Sequence, residues 1–218
     1  MCEECQGYHP HHHGDMTTTS NNSELDLDLS MDTSHMTHDC GHMTHTSNSH
    51  WCTVAYWELR DRVGRLRTVV DKTFNIFQNL PLGDGLCLEL LQTEPESDAI
   101  RRTREKIGLG VVLSKESDGV WIYNRSSFAI FVNTPTLENP RSRTLYVHKV
   151  LPGYSLKIFD YMRAHLIVDT SDPKYLDGPF DPNSIRVSFA KGWGQLYSRQ
   201  FVTSCPCWLE IMLNTTDR

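Results

Sequence analysis

The chain has 218 residues and a formal net charge of −6 with histidine neutral, and its two parts differ sharply in composition. Residues 1–50 contain no Lys or Arg and eight acidic side chains, so they carry −8 and leave +2 on residues 51–218. A charge of +2 excludes the strongly basic footprint of a DNA-binding domain. No run of 18 apolar residues is present, so the sequence predicts no membrane insertion.

Residues 1–50 are predicted to be a disordered tail. Ser, Thr, Asn, His and Met dominate them, and such a segment cannot bury enough apolar surface to offset the entropy of ordering. The motif CEEC and nine His could gather a transition metal weakly, but incidental affinity is the favoured interpretation, and we expect no metal site and no cofactor. The alternation LDLDL at Leu25–Leu29 is compatible with a short linear motif or with chance.

The start of the chain, MCEECQGYHPHHH, lacks the basic and apolar regions of a secretory signal. The seven Cys are therefore expected to be reduced thiols in a cytoplasmic and nuclear protein.

Residues 51–218 are predicted to form one mainly β domain. Apolar runs rich in Val, Ile, Phe, Tyr and Trp alternate with Gly, Pro, Asn and Asp, a pattern typical of an all-β sandwich or barrel. The predicted strands are WCTVAYWEL, RVGRLRTVV (joined to the first by a hairpin at RDR), GLCLELL, GVVLSK, GVWIYNRS, FAIFVNT, RTLYVHKVL, SLKIFD, IRVSFA and CWLEIML.

Two helices interrupt the strands. SDAIRRTREKIG begins at Ser97, a good N-cap, and stops at Gly108. Its apolar face is predicted to hold Ile100, Thr103 and Ile107, with Arg102 and Lys106 together on an exposed face. DYMRAHLIV is the second helix, with Asp160 as its cap, and a Pro-rich loop follows it.

Catalytic signatures are absent from the sequence: it contains no G-x-S-x-G, GxxxxGK[ST], GxGxxG or H-E-x-x-H. The pair in CPC, Cys205 and Cys207, lacks the second ligand pair of a zinc site, so we interpret both as buried thiols on one face of a strand. The sequence therefore predicts that the protein is not an enzyme.

The motif KGWG follows an apolar strand directly. Its two Gly allow a sharp turn that presents Trp193 and its neighbours, although a Trp that covers the edge of the core is an equal alternative. Lys191 and Arg199 bracket the loop, and such cations favour an acidic or phosphorylated partner.

Four stretches, WCTVAYWELRDRVGRL, DGVWIYNRSSFAIFV, HKVLPGYSLKIFD and FAKGWGQLYSRQFVTSCPCWLEIMLN, closely resemble the Mad-homology 2 domain of Smad proteins. The resemblance runs from about Trp51 to Asn214. It implies a β-sandwich related to forkhead-associated domains, with a small helix bundle at one end and a loop–helix region at the other.

Within that family NRSSFAIF, RTLYVHKV and TSCPCWLE look most like the inhibitory Smads, including the insect Daughters against dpp. The chain ends at LNTTDR and lacks the Ser-Ser-x-Ser acceptor of receptor-activated Smads. No Mad-homology 1 domain precedes Trp51, which suggests a short isoform, a truncated form or a divergent member. The PPxY motif by which inhibitory Smads recruit ubiquitin ligases is also missing, so recruitment of a ligase is in doubt.

The resemblance implies an adaptor that binds phosphorylated type I serine/threonine kinase receptors of the TGF-beta/BMP class and blocks phosphorylation of receptor-activated Smads. Other Smads are further expected partners, through competition for the common-mediator Smad. A nuclear transcriptional corepressor is the alternative. By position, the receptor-binding residues would be Arg102, Lys106, Lys191, Gly192, Trp193, Gly194, Gln195, Tyr197 and Arg199.

Overall fold

The computed structural model describes residues 50–79, 83–91, 97–138, 146–170 and 181–214. Apart from His50, the predicted tail lies outside the described residues, as do most of the Pro-rich loop and residues 215–218. The division of the chain at residue 50 therefore stays a prediction.

Eleven strands form two sheets within the described residues. The six-stranded sheet has, in spatial order, β2 (Asp61–Val69), β1 (Cys52–Glu58), β11 (Trp208–Leu213), β10 (Ser184–Phe189), β7 (Ile130–Asn133) and β8 (His148–Val150). The five-stranded sheet has β4 (Leu86–Cys87), β3 (Thr73–Phe77), β5 (Val111–Glu116), β6 (Gly119–Asn124) and β9 (Ser155–Asp160). Neighbouring strands pair antiparallel, except for β3 and β4, which are parallel.

The main core lies between the two sheets, because residues from both belong to one buried cluster. Val54 and Val187 come from the six-stranded sheet, and Leu113 and Ile122 from the five-stranded sheet, and all four are 0% exposed. Face-to-face packing of two sheets over a shared apolar core is a β-sandwich. The predicted fold class is confirmed.

A second buried cluster covers the outer face of the six-stranded sheet. Successive strand residues point to opposite faces, so Tyr56 enters the main core while Trp57 enters the second cluster. Trp57 stands opposite Trp208 in the β1–β11 ladder, and the two indoles stack with their ring centroids 5.2 Å apart. This sheet is therefore buried on both faces where the second cluster lies.

The helices agree with the sequence. α1 (Asp98–Ile107) begins after Ser97, whose hydroxyl accepts a hydrogen bond from the backbone N–H of Ile100, and the predicted apolar face is buried. α2 (Tyr161–Thr170) begins after Asp160, which accepts a 3.0 Å bond from the backbone N–H of Arg163. That bond is the main reason why the pKa of Asp160 is lowered. Neither described helix is long and apolar enough to cross a membrane.

Two strand predictions need correction. TFNIF, which forms β3, is missing from the predicted strands, because a five-residue run with Asn75 at its centre has no clear period and depends on its neighbours in the sheet. The sequence predicts GLCLELL as a strand, but only Leu86–Cys87 pair, and Glu89–Leu91 form a 3-10 helix. The β1–β2 hairpin is confirmed, with Leu59 at the turn in the left-handed region at φ 54°.

Gly110 is a position that tolerates no side chain. It precedes β5 with φ 63°, and a Cβ there would lie 1.9 Å from the carbonyl oxygen of Ile76. Gly153 has a similar φ of 78° but open space around it.

We expect Gly110→Ala to lower the free energy of unfolding by more than about 3 kcal/mol, because the backbone strain and the collision with Ile76 add. Gly153→Ala carries the strain alone and should cost about 1–2 kcal/mol. Urea titrations of both variants measure the difference, and equal losses would contradict the predicted collision.

Candidate functional site

Residues 190–207, here called the 190–207 loop, connect β10 to β11 and are closed by their own backbone. Ala190 takes a left-handed φ of 57°, and its N–H donates to the carbonyl of Ala129 at 3.0 Å. The N–H of Gly194 donates to the carbonyl of Arg199 at 2.7 Å, and the N–H of Tyr197 donates to the carbonyl of Gly194 at 3.0 Å. These bonds fold the tip of the loop into a tight turn.

Trp193 fixes this turn to the sandwich. Its side chain is only 2% exposed and lies in the second cluster with Phe131 and Trp208. The ring of Tyr197 covers Gly192, where a Cβ would come within 2.6 Å of the ring, and Tyr197 meets Phe131 edge to face at 5.3 Å. Of the two alternatives for Trp193, the structure favours the Trp that covers the edge of the core. Sequence alone left this open, because a loop Trp packs inward wherever an apolar sheet face lies beneath it.

The exposed surface of the loop combines apolar and cationic side chains. Leu196 and Phe201 are 75% and 60% exposed, and sequence reasoning missed both because isolated apolar residues in a loop carry no periodic signal. Gln195 is also exposed. Lys191 and Arg199 are half-buried, and Nε of Arg199 donates to the carbonyl of Ser204 at 3.2 Å. The backbone thus holds Arg199 in place.

The other predicted cations lie on α1. Arg102 is exposed, and its guanidinium lies 3.8 Å from the Asp98 carboxylate, a loose ion pair on the helix surface. Lys106 is half-buried, with its ammonium 5.2 Å from the ring centroid of Phe128. Such a cation–π contact restricts where the ammonium lies while leaving its charge unneutralised.

Phe128 is itself held by a buried polar turn. Nδ2 of Asn124, which is 0% exposed, donates to the carbonyl of Phe128 at 2.9 Å, and the hydroxyl of Ser126 donates to Oδ1 of Asn124 at 2.8 Å. Because Ala129 is the next residue and accepts the bond from Ala190, a chain of direct contacts runs from Lys106 to the start of the loop.

A second link joins α1 to the loop at its far end. The thiol of Cys207 lies 3.8 Å from the carbonyl oxygen of Ile100, so the end of the loop contacts the first turns of the helix. The structure thus links α1 to the 190–207 loop directly through Cys207 and indirectly through Phe128 and Ala129. The nine predicted receptor-binding residues all lie on these two elements.

A buried ion pair holds α1 against β1. Nε of Arg104 lies 2.5 Å from Oε1 of Glu58, whose side chain is only 7% exposed, and the hydroxyl of Tyr56 donates to the same oxygen at 2.7 Å. Burial lowers the pKa of Arg104, but the hydrogen bond and charge of Glu58 outweigh it and raise that pKa. Arg104 is therefore a structural cation, and it orients the helix that carries Arg102 and Lys106.

The CPC motif is buried as predicted but is not placed as predicted. Cys205 and Cys207 precede β11, which begins at Trp208. Cys205 belongs to the second cluster and Cys207 to the main core, so the two thiols do not share one face. Residues 205–207 bend before β11 begins, so the alternation of the strand does not extend back to Cys205.

Burial sets the chemistry of these thiols. It raises the pKa of Cys205, and it raises that of Cys207 to about 12. Among the residues that the structure describes, no three His, Cys, Asp or Glu side chains gather as a metal site would require. The two cysteines behave as small apolar residues of the core.

A rigid sandwich that presents cations and apolar side chains from a braced loop and a helix has the architecture of a recognition domain. The MH2 domain family matches residues 49–214, so the chain belongs to that family.

Two similar relatives are inhibitory Smads. "Mothers against decapentaplegic homolog 6" of Gallus gallus is 62% identical over 166 residues, which cover 76% of this chain and 38% of the relative. "Mothers against decapentaplegic homolog 7" of Homo sapiens is 50% identical over 167 residues, which cover 77% and 39%. The chain therefore spans about two fifths of the length of these relatives.

Among solved structures, the IAD domain of interferon regulatory factor 9 superposes with a TM-score of 0.53 at 12% sequence identity. The match covers 75% of this chain and 82% of that one. At this identity the likeness shows the fold alone.

Replacing Trp193 tests the anchor of the loop. Trp193→Ala should lower the free energy of unfolding by about 3–5 kcal/mol, because it removes a buried indole from a packed cluster. For a domain of this size that loss corresponds to a fall in Tm of roughly 6–20 °C. Leu196→Ala, in the same loop but 75% exposed, is the matched control and should shift Tm by no more than about 2 °C. Equal melting curves for the two variants would contradict the anchoring role.

Thiol labelling tests the assignment of CPC. In the native protein, iodoacetamide should leave Cys205 and Cys207 unmodified while it reacts with the partly exposed Cys87, because burial suppresses both the thiolate form and access. Peptide mass mapping before and after unfolding in urea measures this. Native labelling of Cys207 at the rate of Cys87 would show that the motif is open to redox chemistry or to metal.

Proposed function

We propose that this protein is an inhibitory Smad adaptor and a negative regulator of TGF-beta/BMP signalling. It binds the phosphorylated cytoplasmic part of type I serine/threonine kinase receptors and blocks phosphorylation of receptor-activated Smads. Its relatives at 62% and 50% identity are inhibitory Smads, and MH2 domains of Smads mediate interaction with receptors and other Smads. Action in the cytoplasm and the nucleus is part of the proposal.

The observation that carries the receptor proposal is the contact between α1 and the 190–207 loop. The ring of Phe128 contacts Lys106, and the neighbouring Ala129 accepts a backbone bond from Ala190 at the start of the loop, and these links support a shared surface for the cations of the two elements. A phosphate group carries about −1.5 to −2 charges and binds best to Arg and Lys held on rigid elements. Arg102, Lys106, Lys191 and Arg199 fit this requirement.

Apolar contacts would complete the interface. Leu196 and Phe201 lie on either side of Arg199 in the sequence and are largely exposed. An apolar side chain beside a charged contact excludes water and strengthens the charged pair. We infer that Gln195, Leu196 and Phe201 contact the receptor around the phosphate, while Trp193 and Tyr197 support them from beneath.

The family also suggests a second route, competition for the common-mediator Smad, through the same adaptor domain. The near-neutral charge of residues 51–218 does not favour direct DNA binding. The sequence contains no PPxY motif, so recruitment of a ubiquitin ligase by this chain would need another determinant.

Charge reversal tests the receptor surface. The Lys191→Glu, Arg199→Glu variant should weaken binding to the phosphorylated type I receptor cytoplasmic domain by about two to four decades. Each charge-assisted contact contributes roughly 1.5–3 kcal/mol, and reversal removes two. The Arg102→Glu, Lys106→Glu variant should lose somewhat less, because Arg102 already has Asp98 beside it. Surface plasmon resonance against phosphorylated and unphosphorylated receptor measures both.

The control is Lys72→Glu, a reversal at an exposed site between β2 and β3, which should leave receptor affinity within about twofold. All variants should keep their Tm within a few degrees, because exposed charges contribute little to stability. Capture of the receptor that is indifferent to its phosphorylation would favour the transcriptional corepressor alternative. Intact affinity in both folded double variants would show that the surface is misassigned.

A further inference from the structure

Four large apolar side chains are exposed at the end of the sandwich where β7 and β9 begin. Leu109 follows α1, Phe128 lies just before β7, and Leu151 and Tyr154 lie in the turn between β8 and β9. Their exposed fractions are 51%, 45%, 48% and 64%, in that order. We call these four residues the end surface. Single exposed apolar residues are ordinary on a protein surface, whereas a group of them on adjoining loops marks an interaction site.

Asn124 joins two of the loops that carry the end surface. This residue is the last of β6 and is 0% exposed. Its Nδ2 donates to the carbonyls of Phe128 at 2.9 Å and Val150 at 3.1 Å. Its backbone N–H donates to the carbonyl of Tyr154 at 3.0 Å, and its carbonyl accepts a 2.8 Å bond from the N–H of Gly153. One buried residue thus holds the β6–β7 and β8–β9 connections side by side.

Arg125 ties the end of α1 to the same place. Its N–H donates to the carbonyl of Gly110 at 2.9 Å, and its guanidinium donates to the carbonyl of Leu109 at 3.1 Å. Lys106, in the last turn of α1, has its ammonium 5.2 Å from the ring centroid of Phe128. The end surface therefore adjoins a cation of the proposed receptor surface. Hydrogen bonds fix its loops before any partner binds, so a partner need not supply the free energy of ordering them.

The charge of this end indicates the kind of partner. Residues 106–113, 121–130 and 150–156 meet here, and they contain Lys106 and Arg125 but no Asp or Glu. Within the described part of the chain, no carboxylate lies within 4.0 Å of either cation. Positive charge beside exposed apolar side chains favours an acidic or phosphorylated segment that also carries a large apolar side chain. An apolar partner without negative charge would leave both cations desolvated and unpaired.

We propose that the end surface receives a large apolar side chain of the phosphorylated receptor segment, beside the phosphate that Lys106 contacts. This inference rests on the receptor binding proposed above and adds an apolar determinant on the side of α1. Phe128 has two roles in it: its ring positions the ammonium of Lys106, and its exposed part contacts the receptor. Leu151 and Tyr154 exclude water from the charged contact.

Surface plasmon resonance on the full chain tests the end surface against the phosphorylated and unphosphorylated receptor cytoplasmic domain. Tyr154→Ala and Leu151→Ala should each weaken binding of both forms about three- to tenfold, so the preference for the phosphorylated form stays unchanged. Met162→Ala is the matched control and should change affinity less than about twofold. Met162 is 74% exposed on α2, which follows the C-terminal end of β9, whereas Tyr154 precedes its N-terminal end. All three variants should keep Tm within about 3 °C, because the side chains are largely exposed.

Two variants of Phe128 test its positioning role. Phe128→Leu removes the ring beside Lys106 but keeps an apolar side chain, so it should reduce the preference for the phosphorylated receptor about two- to fivefold. Phe128→Tyr keeps the ring and should leave that preference unchanged. A purely structural role of Phe128 would lower Tm without changing the preference, and that result would overturn the positioning role.

A double-mutant cycle tests direct contact. In a receptor variant whose apolar residues beside the phosphorylated residues are changed to Ser, Tyr154→Ala should cost no further affinity, because both changes remove the same contact. Independent, additive losses would overturn the proposal.

The outcomes separate this inference from the function on which it rests. If the wild-type chain binds the phosphorylated receptor and neither Tyr154→Ala nor Leu151→Ala weakens that binding, the end surface is misassigned and the receptor function stands. If the wild-type chain does not bind, the receptor function fails and the inference fails with it. Sedimentation in which Tyr154→Ala converts a wild-type oligomer to a monomer, with receptor affinity intact, would assign the end surface to a second copy and overturn the proposal.

Discussion

Burial of Trp193 is the constraint on which the proposed interaction surface depends. The indole lies in the second cluster, on the outer face of the six-stranded sheet, so it anchors the loop between β10 and β11 to that sheet. The two hydrogen bonds from the tip of the loop can then hold one conformation. A loop that already has its bound conformation binds without the ordering entropy of a flexible one. The aromatic residue that the sequence suggested as a contact is thus the reason why its neighbours can be contacts.

The helix that supplies the other cations depends on a polar interaction. Arg104 and Glu58 form an ion pair that is mostly removed from water, with the Tyr56 hydroxyl on the same carboxylate oxygen. Burying two charges is costly, and an apolar pair of similar size could stabilise the domain as well. What the ion pair adds is direction, because a hydrogen-bonded guanidinium fixes the rotation of α1 about its axis. That rotation decides where Arg102 and Lys106 point.

Sequence reasoning succeeded where local chemistry determines structure. Ser97, the spacing from Ile100 to Ile107, and Gly108 define α1 without help from the rest of the fold. It failed where a residue has two possible environments. Trp193 and the CPC motif both lie beside a sheet that is apolar on two faces, and no local pattern tells which face a neighbouring loop covers. The contact between α1 and the 190–207 loop joins residues about 100 positions apart, so only the assembled sandwich reveals it.

The hairpin between β1 and β2 supports the base of the 190–207 loop. Leu59, at the turn into β2, donates its N–H to the carbonyl of Cys205 and accepts a 2.8 Å bond from the indole of Trp208. On α1 and the 190–207 loop, the cations are isolated points among exposed apolar side chains, an arrangement that suits a phosphate set in a folded partner. The loop can hold this arrangement because its base is fixed by the hairpin and by α1 through Cys207, and its tip by the buried Trp193.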